Sequence, residues 1–102
     1  MSTKIPFTRR LKAARMKKGL SQKKLGILAG IDEFSASVRM NQYEKGTHSP
    51  DLSLIEKISR ALDIPTAYLF AEEDDIAELI LLFSKKSQKT KKEFIEKLKA
   101  QE

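Results

Sequence analysis

The chain has 102 residues, 40% of them hydrophobic and 33% charged, which gives enough apolar material for a folded core and argues against a disordered chain. It contains no cysteine, so disulfide bonds and cysteine-ligated zinc are excluded. The formal net charge of +6 is unevenly spread. Residues 1–50 carry eleven Lys and Arg against three Asp and Glu, residues 51–84 two against eight, and residues 85–102 seven against three. A basic segment of this kind indicates a polyanionic partner such as nucleic acid, or merely a soluble basic protein.

The first residues contain no apolar run of the kind that forms a signal peptide. The longest apolar block, residues 79–83, is far shorter than the roughly 20 residues of a membrane-spanning helix. We therefore expect a cytoplasmic protein that does not bind a membrane.

Helical periodicity runs through the first thirty residues. Thr8 is predicted to cap a first helix, which ends at Gly19, where a left-handed residue is needed. Ser21 caps a second helix, which Gly30 ends. The apolar face of this second helix is predicted to consist of Leu25, Leu28 and Ala29.

A third helix is predicted from residue 34 or 35 to residue 45, with Ala36, Met40 and Tyr43 facing inward and Gly46 closing it. A turn at residues 47–50 leads to a fourth helix that begins at 51 or 52 and ends at 62. A break at residues 63–65 precedes a short fifth helix over residues 66–70.

The last thirty residues have two further helical segments. The acidic residues 72–75 are either a linker or the first turn of a helix that covers residues 76–84. A polar break at residues 85–88 separates it from an amphipathic helix over residues 89–100, which has fewer apolar residues. Its apolar stripe is Phe94, Ile95 and Leu98. No segment has a convincing strand pattern, so the chain is predicted to be all-α.

The most informative motif is RMKKGLSQKKLGILAGI over residues 15–31, followed by NQYEKG over residues 41–46 and by Pro50. This pattern closely resembles the XRE/Cro/lambda-repressor family of helix-turn-helix proteins over about residues 7–71. The resemblance implies a five-helix lambda-repressor-like DNA-binding domain at residues 1–71, followed by a tail of one or two helices at residues 72–102. It also implies a sequence-specific regulator of transcription, expected to be a repressor, that is not an enzyme and uses no cofactor or metal.

The resemblance further implies which residues contact double-stranded DNA. In proteins of this family the third helix enters the major groove, and the loop that follows the third helix contacts phosphate. Arg suits guanine, Gln and Asn suit adenine, and Val suits a thymine methyl group. Gln22, at the start of the second helix, corresponds to a position that commonly holds DNA backbone. The groove-facing and loop positions are Ser37, Val38, Arg39, Asn41, Gln42, Lys45, Thr47 and Ser49, with Arg39 and Gln42 the best candidates for base contacts.

Additional charge contacts could come from Arg10, Lys23 and Lys24, or these side chains are simply solvated. The resemblance also implies a structural ion pair between Arg15 in the first helix and Glu44 in the third.

The chain departs from the family in one place, because the interval from Gly30 to Gly46 is longer by about one helical turn. The extra residues lengthen the turn, the front of the third helix, or both. Phe34 is predicted to plug the core beneath the longer turn. Asp32 and Glu33 would place acidic charge near phosphate unless they cap the helix and turn aside.

The helix at residues 76–84 is apolar almost all round, so it must pack on the core, on a second subunit or on a partner. Helix-turn-helix proteins usually dimerise on inverted-repeat operators, so a homodimer is the leading hypothesis. The predicted dimer interface is Ile76, Leu79, Ile80, Leu82 and Phe83. The alternative is an antitoxin or accessory protein that uses this scaffold to bind a protein partner. The basic segment after residue 85 is either a DNA-touching arm or a solvated amphipathic end.

Other classes of function are poorly supported by the sequence. The single histidine, His48, lies in a predicted turn with no second histidine and no cysteine to form a metal or catalytic site. RNA binding is disfavoured because the chain lacks a surface of aromatic residues on which bases could stack.

Overall fold

A computed structural model describes residues 6–101. Residues 1–5 of the predicted domain at 1–71, and residue 102 of the predicted tail at 72–102, lie outside the described part of the chain. The described residues form helices and no strand, which confirms the predicted all-α class. The helices are α1 Phe7–Lys18, α2 Gln22–Leu28, α3 Glu33–Lys45, α4 Leu52–Leu62, a short 3-10 helix Thr66–Phe70, α5 Asp74–Ser84 and α6 Gln88–Ala100.

Side-chain and backbone caps set the helix boundaries largely as predicted. Ser21 caps α2 by accepting a hydrogen bond from the backbone N–H of Lys24. Gly19 and Gly46 follow α1 and α3 with φ values of 77° and 80°, the left-handed conformation that glycine adopts without strain. The predicted Thr8 cap is wrong: Pro6 occupies the N-cap position of α1 and makes no side-chain cap bond, and Thr8 lies inside the helix.

Helices α2 and α3 form the helix-turn-helix, and they pack against each other at very short range. A Cβ atom placed on Gly26 of α2 would lie 2.8 Å from the Cβ of Ala36 and 3.1 Å from its backbone. This contact requires a residue without a side chain on α2 and a small one on α3. Leu25, Ala29, Ala36 and Met40 continue the contact into the core.

Two apolar residues predicted to be buried are exposed instead. Leu28 is 50% exposed, because Leu25, Gly26 and Ala29 take the inward positions of α2. Phe34 is 95% exposed. Helix α3 begins at Glu33, and the inward stripe at Ala36 and Met40 leaves Phe34 about half a turn away, on the outer side.

The remaining helices complete the core behind the helix-turn-helix. Ile55, Ile58 and Leu62 of α4 are buried, at a spacing that places them on one face of the helix. Residue Leu69 of the 3-10 helix is fully buried, and Ala77 brings α5 against the same core. The 3-10 helix packs against α1, α4 and α5, so it joins the tail to the first four helices.

Arg10 fastens α5 to α1. Its guanidinium donates to the carbonyl of Ala71 at 2.7 Å and to the carboxylate of Asp74 at 3.1 Å, and it lies over the ring of Tyr68. Arg10 is buried and bonded within the chain, so it is neither solvated nor placed for the charge contact considered from the sequence. Hydrogen bonds from Arg9 and Arg10 hold the pKa of Asp74 below its usual range, which keeps this carboxylate ionised at the start of α5.

Helix α6 makes the least contact with the rest of the chain. It has no buried residue, and its clearest contact is between the rings of Phe94 and Phe83, whose centroids are 6.1 Å apart. The radius of gyration is 15.4 Å, whereas a compact chain of this length has about 13 Å. Helix α6 therefore contributes to an elongated shape. Among residues 6–101 we find no helix with the length and apolar character needed to cross a membrane.

The tight contact between α2 and α3 predicts that Gly26→Ala destabilises the fold. Overpacking of this kind costs roughly 1–3 kcal/mol, and the ~1 kcal/mol that alanine gains over glycine inside a helix offsets only part of it. Denaturant unfolding measured by circular dichroism tests the change. Lys24→Ala, an exposed position on the same helix, is the control and should leave stability near that of the unsubstituted protein. A Gly26→Ala variant of raised stability would show that the contact is not tight.

Candidate nucleic-acid interface

Glu44 joins α1, α2 and α3 through its side-chain contacts. Its carboxylate accepts two hydrogen bonds from Arg15, from Nε at 2.5 Å and from Nη2 at 3.1 Å. The side chains of Arg15 and Glu44 are only 13% and 4% exposed. The remaining Nη1 of Arg15 donates to the carbonyl of Leu20 at 2.9 Å, so the ends of α1 and α3 and the α1–α2 turn are tied together.

The same carboxylate positions Gln22. The side-chain amide of Gln22 donates to Glu44 Oε1 at 3.1 Å and to Asn41 Oδ1 at 3.2 Å. Gln22 and Asn41, predicted separately as DNA contacts on α2 and α3, are therefore in direct contact. Their orientation depends on the Arg15–Glu44 pair beneath them, because Glu44 accepts from both Arg15 and Gln22.

A shallow polar depression surrounds this network. It is lined by Lys12, Arg15, Ser21, Gln22, Asn41, Glu44 and Lys45. Lys12 and Lys45 place two ammonium groups on the rim, on α1 and α3 respectively. Lys12 was not among the predicted contacts. Its position one turn before Arg15 on the same helix is the signal that could have indicated it.

The outer side of α3 carries the predicted base-contacting residues. Ala36, Met40 and Tyr43 form the buried stripe, so the opposite side of the helix faces solvent. Val38 is 61% exposed there, and Ser37 is also exposed. Asn41 and Gln42 are half-buried, and Lys45 at the end of the helix is exposed. The helix therefore presents apolar, amide and cationic groups in succession.

Arg39 has a partner within its own helix. Its Nη2 and Nε donate to the hydroxyl of Tyr43 at 2.7 Å and 3.2 Å, and the guanidinium carbon lies 5.8 Å from the centroid of the Tyr43 ring. Arg39 thus lies toward the edge of the outer side of α3. To donate bidentately to a guanine, it would have to exchange these bonds for bonds to the base.

The acidic residues Asp32 and Glu33, at the start of α3, have partners within the chain. The Asp32 carboxylate accepts from the backbone N–H of Phe34 at 2.8 Å and of Ser35 at 3.3 Å, so it caps the helix. Hydrogen bonding to Ser35, and then to the N–H of Phe34, lowers the pKa of Asp32 below its usual value. Glu33 lies 3.8 Å from Lys23. Helix α3 begins at Glu33, one or two residues before the predicted start.

The loop after α3 returns over the end of that helix. The backbone N–H groups of Gly46 and Thr47 both donate to the carbonyl of Gln42, and the Thr47 hydroxyl donates to the same carbonyl at 3.4 Å. Thr47, His48 and Ser49 are exposed. The loop is therefore anchored to α3 while its polar side chains face solvent beside Lys45.

Residues 6–101 contain no group of three His, Cys, Asp or Glu side chains arranged to hold a metal ion. The charged side chains with the most contacts, Arg10, Arg15 and Glu44, are occupied in joining helices.

Comparison with known proteins gives one informative result. No family model and no curated protein matches the chain. Among solved structures, the chain is similar to the crystal structure of the transcriptional regulator BswR, with 49% sequence identity and a TM-score of 0.86. The match covers 91% of this chain and 92% of that chain, so it extends well beyond the helix-turn-helix.

The buried Arg15–Glu44 pair predicts that Glu44→Ala is strongly destabilising. Loss of one partner of a buried pair typically costs about 3–5 kcal/mol, because the other charge is left without compensation. The midpoint of thermal unfolding should fall well below that of the unsubstituted protein. Glu56→Ala, at an exposed glutamate on α4, is the control. Equal unfolding midpoints for the two variants would contradict a stabilising role for the pair.

Proposed function

This chain belongs to the family of the transcriptional regulator BswR, and from that premise we propose that it is a sequence-specific DNA-binding regulator of the XRE/Cro type. In this proposal α3 reads the major groove of double-stranded DNA. The observation that carries it is the outer side of α3, which bears Val38, Asn41, Gln42 and Lys45 on a helix fixed by the Arg15–Glu44 pair. Repression is the proposed mode, because a bound domain by itself can exclude a competing protein from the same DNA.

The side chains divide by chemistry into base readers and phosphate contacts. Asn41 and Gln42 suit adenine, and Val38 suits a thymine methyl group. Ser37 and Arg39 flank them, with Arg39 suited to guanine after leaving Tyr43. Phosphate contacts are proposed for Gln22, Lys45, Thr47 and Ser49, together with Lys12, which shares the polar depression with Gln22 and Lys45.

The proposal is tested by selecting bound duplexes from a random DNA pool. Enrichment of one sequence, arranged as an inverted repeat, supports a specific regulator that binds as a dimer. Recovery of DNA without a common sequence, with binding that weakens steeply with salt, contradicts specific reading. It would favour the alternative function as an antitoxin or accessory protein.

Substitutions on α3 should separate base reading from phosphate contact. Gln42→Ala should relax the preference at one base position per half-site. The binding free energy for DNA with the preferred base should weaken by about 1–3 kcal/mol. Lys45→Ala should weaken binding to all sequences alike and reduce the slope of log affinity against log salt by about 1. Titrations at several salt concentrations measure both effects.

Arg60→Ala is the matched control for charge. Arg60 lines a different depression, with Ser84 and Lys85, away from the α3 face. An equal loss of affinity for Arg60→Ala and Lys45→Ala would count against the proposed orientation on DNA.

A homodimer through α5 and α6 is the second element of the proposal. We define the tail apolar face as the exposed side chains Ile76, Leu79, Leu82, Phe94, Ile95 and Leu98. Leu79, Leu82, Phe83 and Phe94 line an apolar groove between the two helices. Ile80 packs against the chain's own core, so we remove it from the predicted interface.

The energetics of α6 favour a second copy on the tail apolar face. A helix of 13 residues is marginal in water on its own, and α6 has no buried residue within the monomer. Packing against a partner supplies the missing burial. A second copy would also place two α3 helices on one DNA, as an inverted-repeat operator requires.

Leu82→Glu should therefore convert a dimer into a monomer and weaken binding to an inverted repeat. Leu82 is exposed in the monomer, so the fold itself should persist. Light scattering with chromatography measures the mass of the particle in solution. Leu52→Glu, at an exposed leucine on α4, is the control and should remain dimeric. A monomer for the unsubstituted chain, both at high concentration and on DNA, would rule out the dimer.

A further inference from the structure

Phe34 is the most exposed of the large apolar side chains in residues 6–101, at 95%. It lies in the first turn of α3 and outside the core, to which the same helix contributes Ala36 and Met40. A fully solvated phenylalanine on a well-capped helix has no stabilising role in the monomer. A single exposed apolar side chain is ordinary on a protein surface, and what distinguishes Phe34 is its place on α3 beside the proposed base readers.

The position of Phe34 on α3 is fixed relative to the proposed readers. Val38 follows it by four residues, so the two side chains are neighbours on one side of the helix. Asn41 and Lys45 continue the same stripe at positions seven and eleven residues after Phe34. The backbone N–H of Phe34 donates to the Asp32 cap, so this first turn is an ordered part of α3.

Resting on the proposed function, we infer that Phe34 and Val38 form a paired apolar reader of thymine methyl groups in the major groove. The C5-methyl group of thymine is the apolar group that a base pair presents there. Neither side chain can exchange hydrogen bonds with base edges, so the pair selects methyl groups rather than donors or acceptors. Phe34 adds a specificity-determining residue beyond those implied by the sequence pattern.

The geometry also limits where the two methyl groups lie. One turn of helix advances about 5.4 Å, whereas successive bases on one strand are about 3.4 Å apart. Phe34 and Val38 therefore contact thymines about one or two base steps apart in each half-site. Phe34, at the front of α3, reads the position farther from the base that Asn41 contacts.

Replacing single thymines by deoxyuridine in the selected operator tests this inference. The replacement removes the methyl group and leaves every hydrogen-bonding group of the base unchanged. Unsubstituted protein should lose about fourfold in affinity at each of two positions per half-site, the value expected for one buried methyl group. Phe34→Ala should bind the thymine operator more weakly and lose its sensitivity to deoxyuridine at one of them. Val38→Ala should lose it at the other.

Met16→Ala is the matched control, because Met16 is an exposed apolar residue on α1 rather than α3. It should retain both sensitivities. Thermal unfolding of Phe34→Ala should match that of the unsubstituted protein, since its side chain is exposed. A lower unfolding midpoint would contradict the exposed position on which the inference depends.

The outcomes separate this inference from the proposed function. If selection yields no common sequence, the proposed function fails and this inference fails with it. If a specific operator is found, and if the unsubstituted protein and Phe34→Ala respond identically to deoxyuridine at every position, the inference alone is overturned. Loss of binding to a protein partner in Phe34→Ala, with DNA affinity unchanged, would also overturn it.

Discussion

The buried ion pair between Arg15 and Glu44 is the interaction on which the arrangement of the first three helices depends. Two charges held between α1 and α3 are costly to desolvate, and they are tolerated because nearly every polar atom has a partner. Arg15 also donates to the carbonyl of Leu20, and Glu44 also accepts from Gln22. The pair therefore fixes the angle of α3 and the orientation of a side chain on α2 together.

The contact between Gly26 and Ala36 is the second constraint, and it acts through size rather than charge. Because α2 and α3 approach so closely, their shared face admits only small residues at the crossing point. The large side chains of α3 must then lie either deeper, as Met40 does, or on the outside. The inner side of α3 therefore carries a small residue where it crosses α2. Its outer side carries Phe34, Val38 and Lys45.

The tail is joined to this unit by a different kind of contact. Arg10 reaches from α1 to the carbonyl of Ala71 and the carboxylate of Asp74, so the start of α5 is held by polar bonds as well as by burial of Ala77. Beyond α5 the chain buries little, and α6 contacts it mainly through Phe83 and Phe94. The fold thus combines a closely packed helix-turn-helix with an apolar tail surface. In the proposed regulator, reading of DNA and assembly would use these separate surfaces.

Local features of the fold could be predicted from the amino-acid sequence. Ser21, Gly19 and Gly46 act through their own backbone and side-chain chemistry, so the ends of α1, α2 and α3 could be predicted within a residue or two. The inward stripe of Ala36, Met40 and Tyr43 followed from helical periodicity. The pairing of Arg15 with Glu44 came from a family resemblance and not from spacing, since 29 residues separate them.

Which of the remaining apolar and charged residues face outward depends on how the helices pack against one another. Periodicity fixes which side chains share a face, but the side that meets a neighbour depends on how closely two helices cross. For that reason Phe34 and Leu28, both predicted to be buried, are exposed, and Arg10, considered for DNA, is buried. The engagement of Arg39 by Tyr43 likewise depends on side-chain rotamers that a linear pattern does not specify.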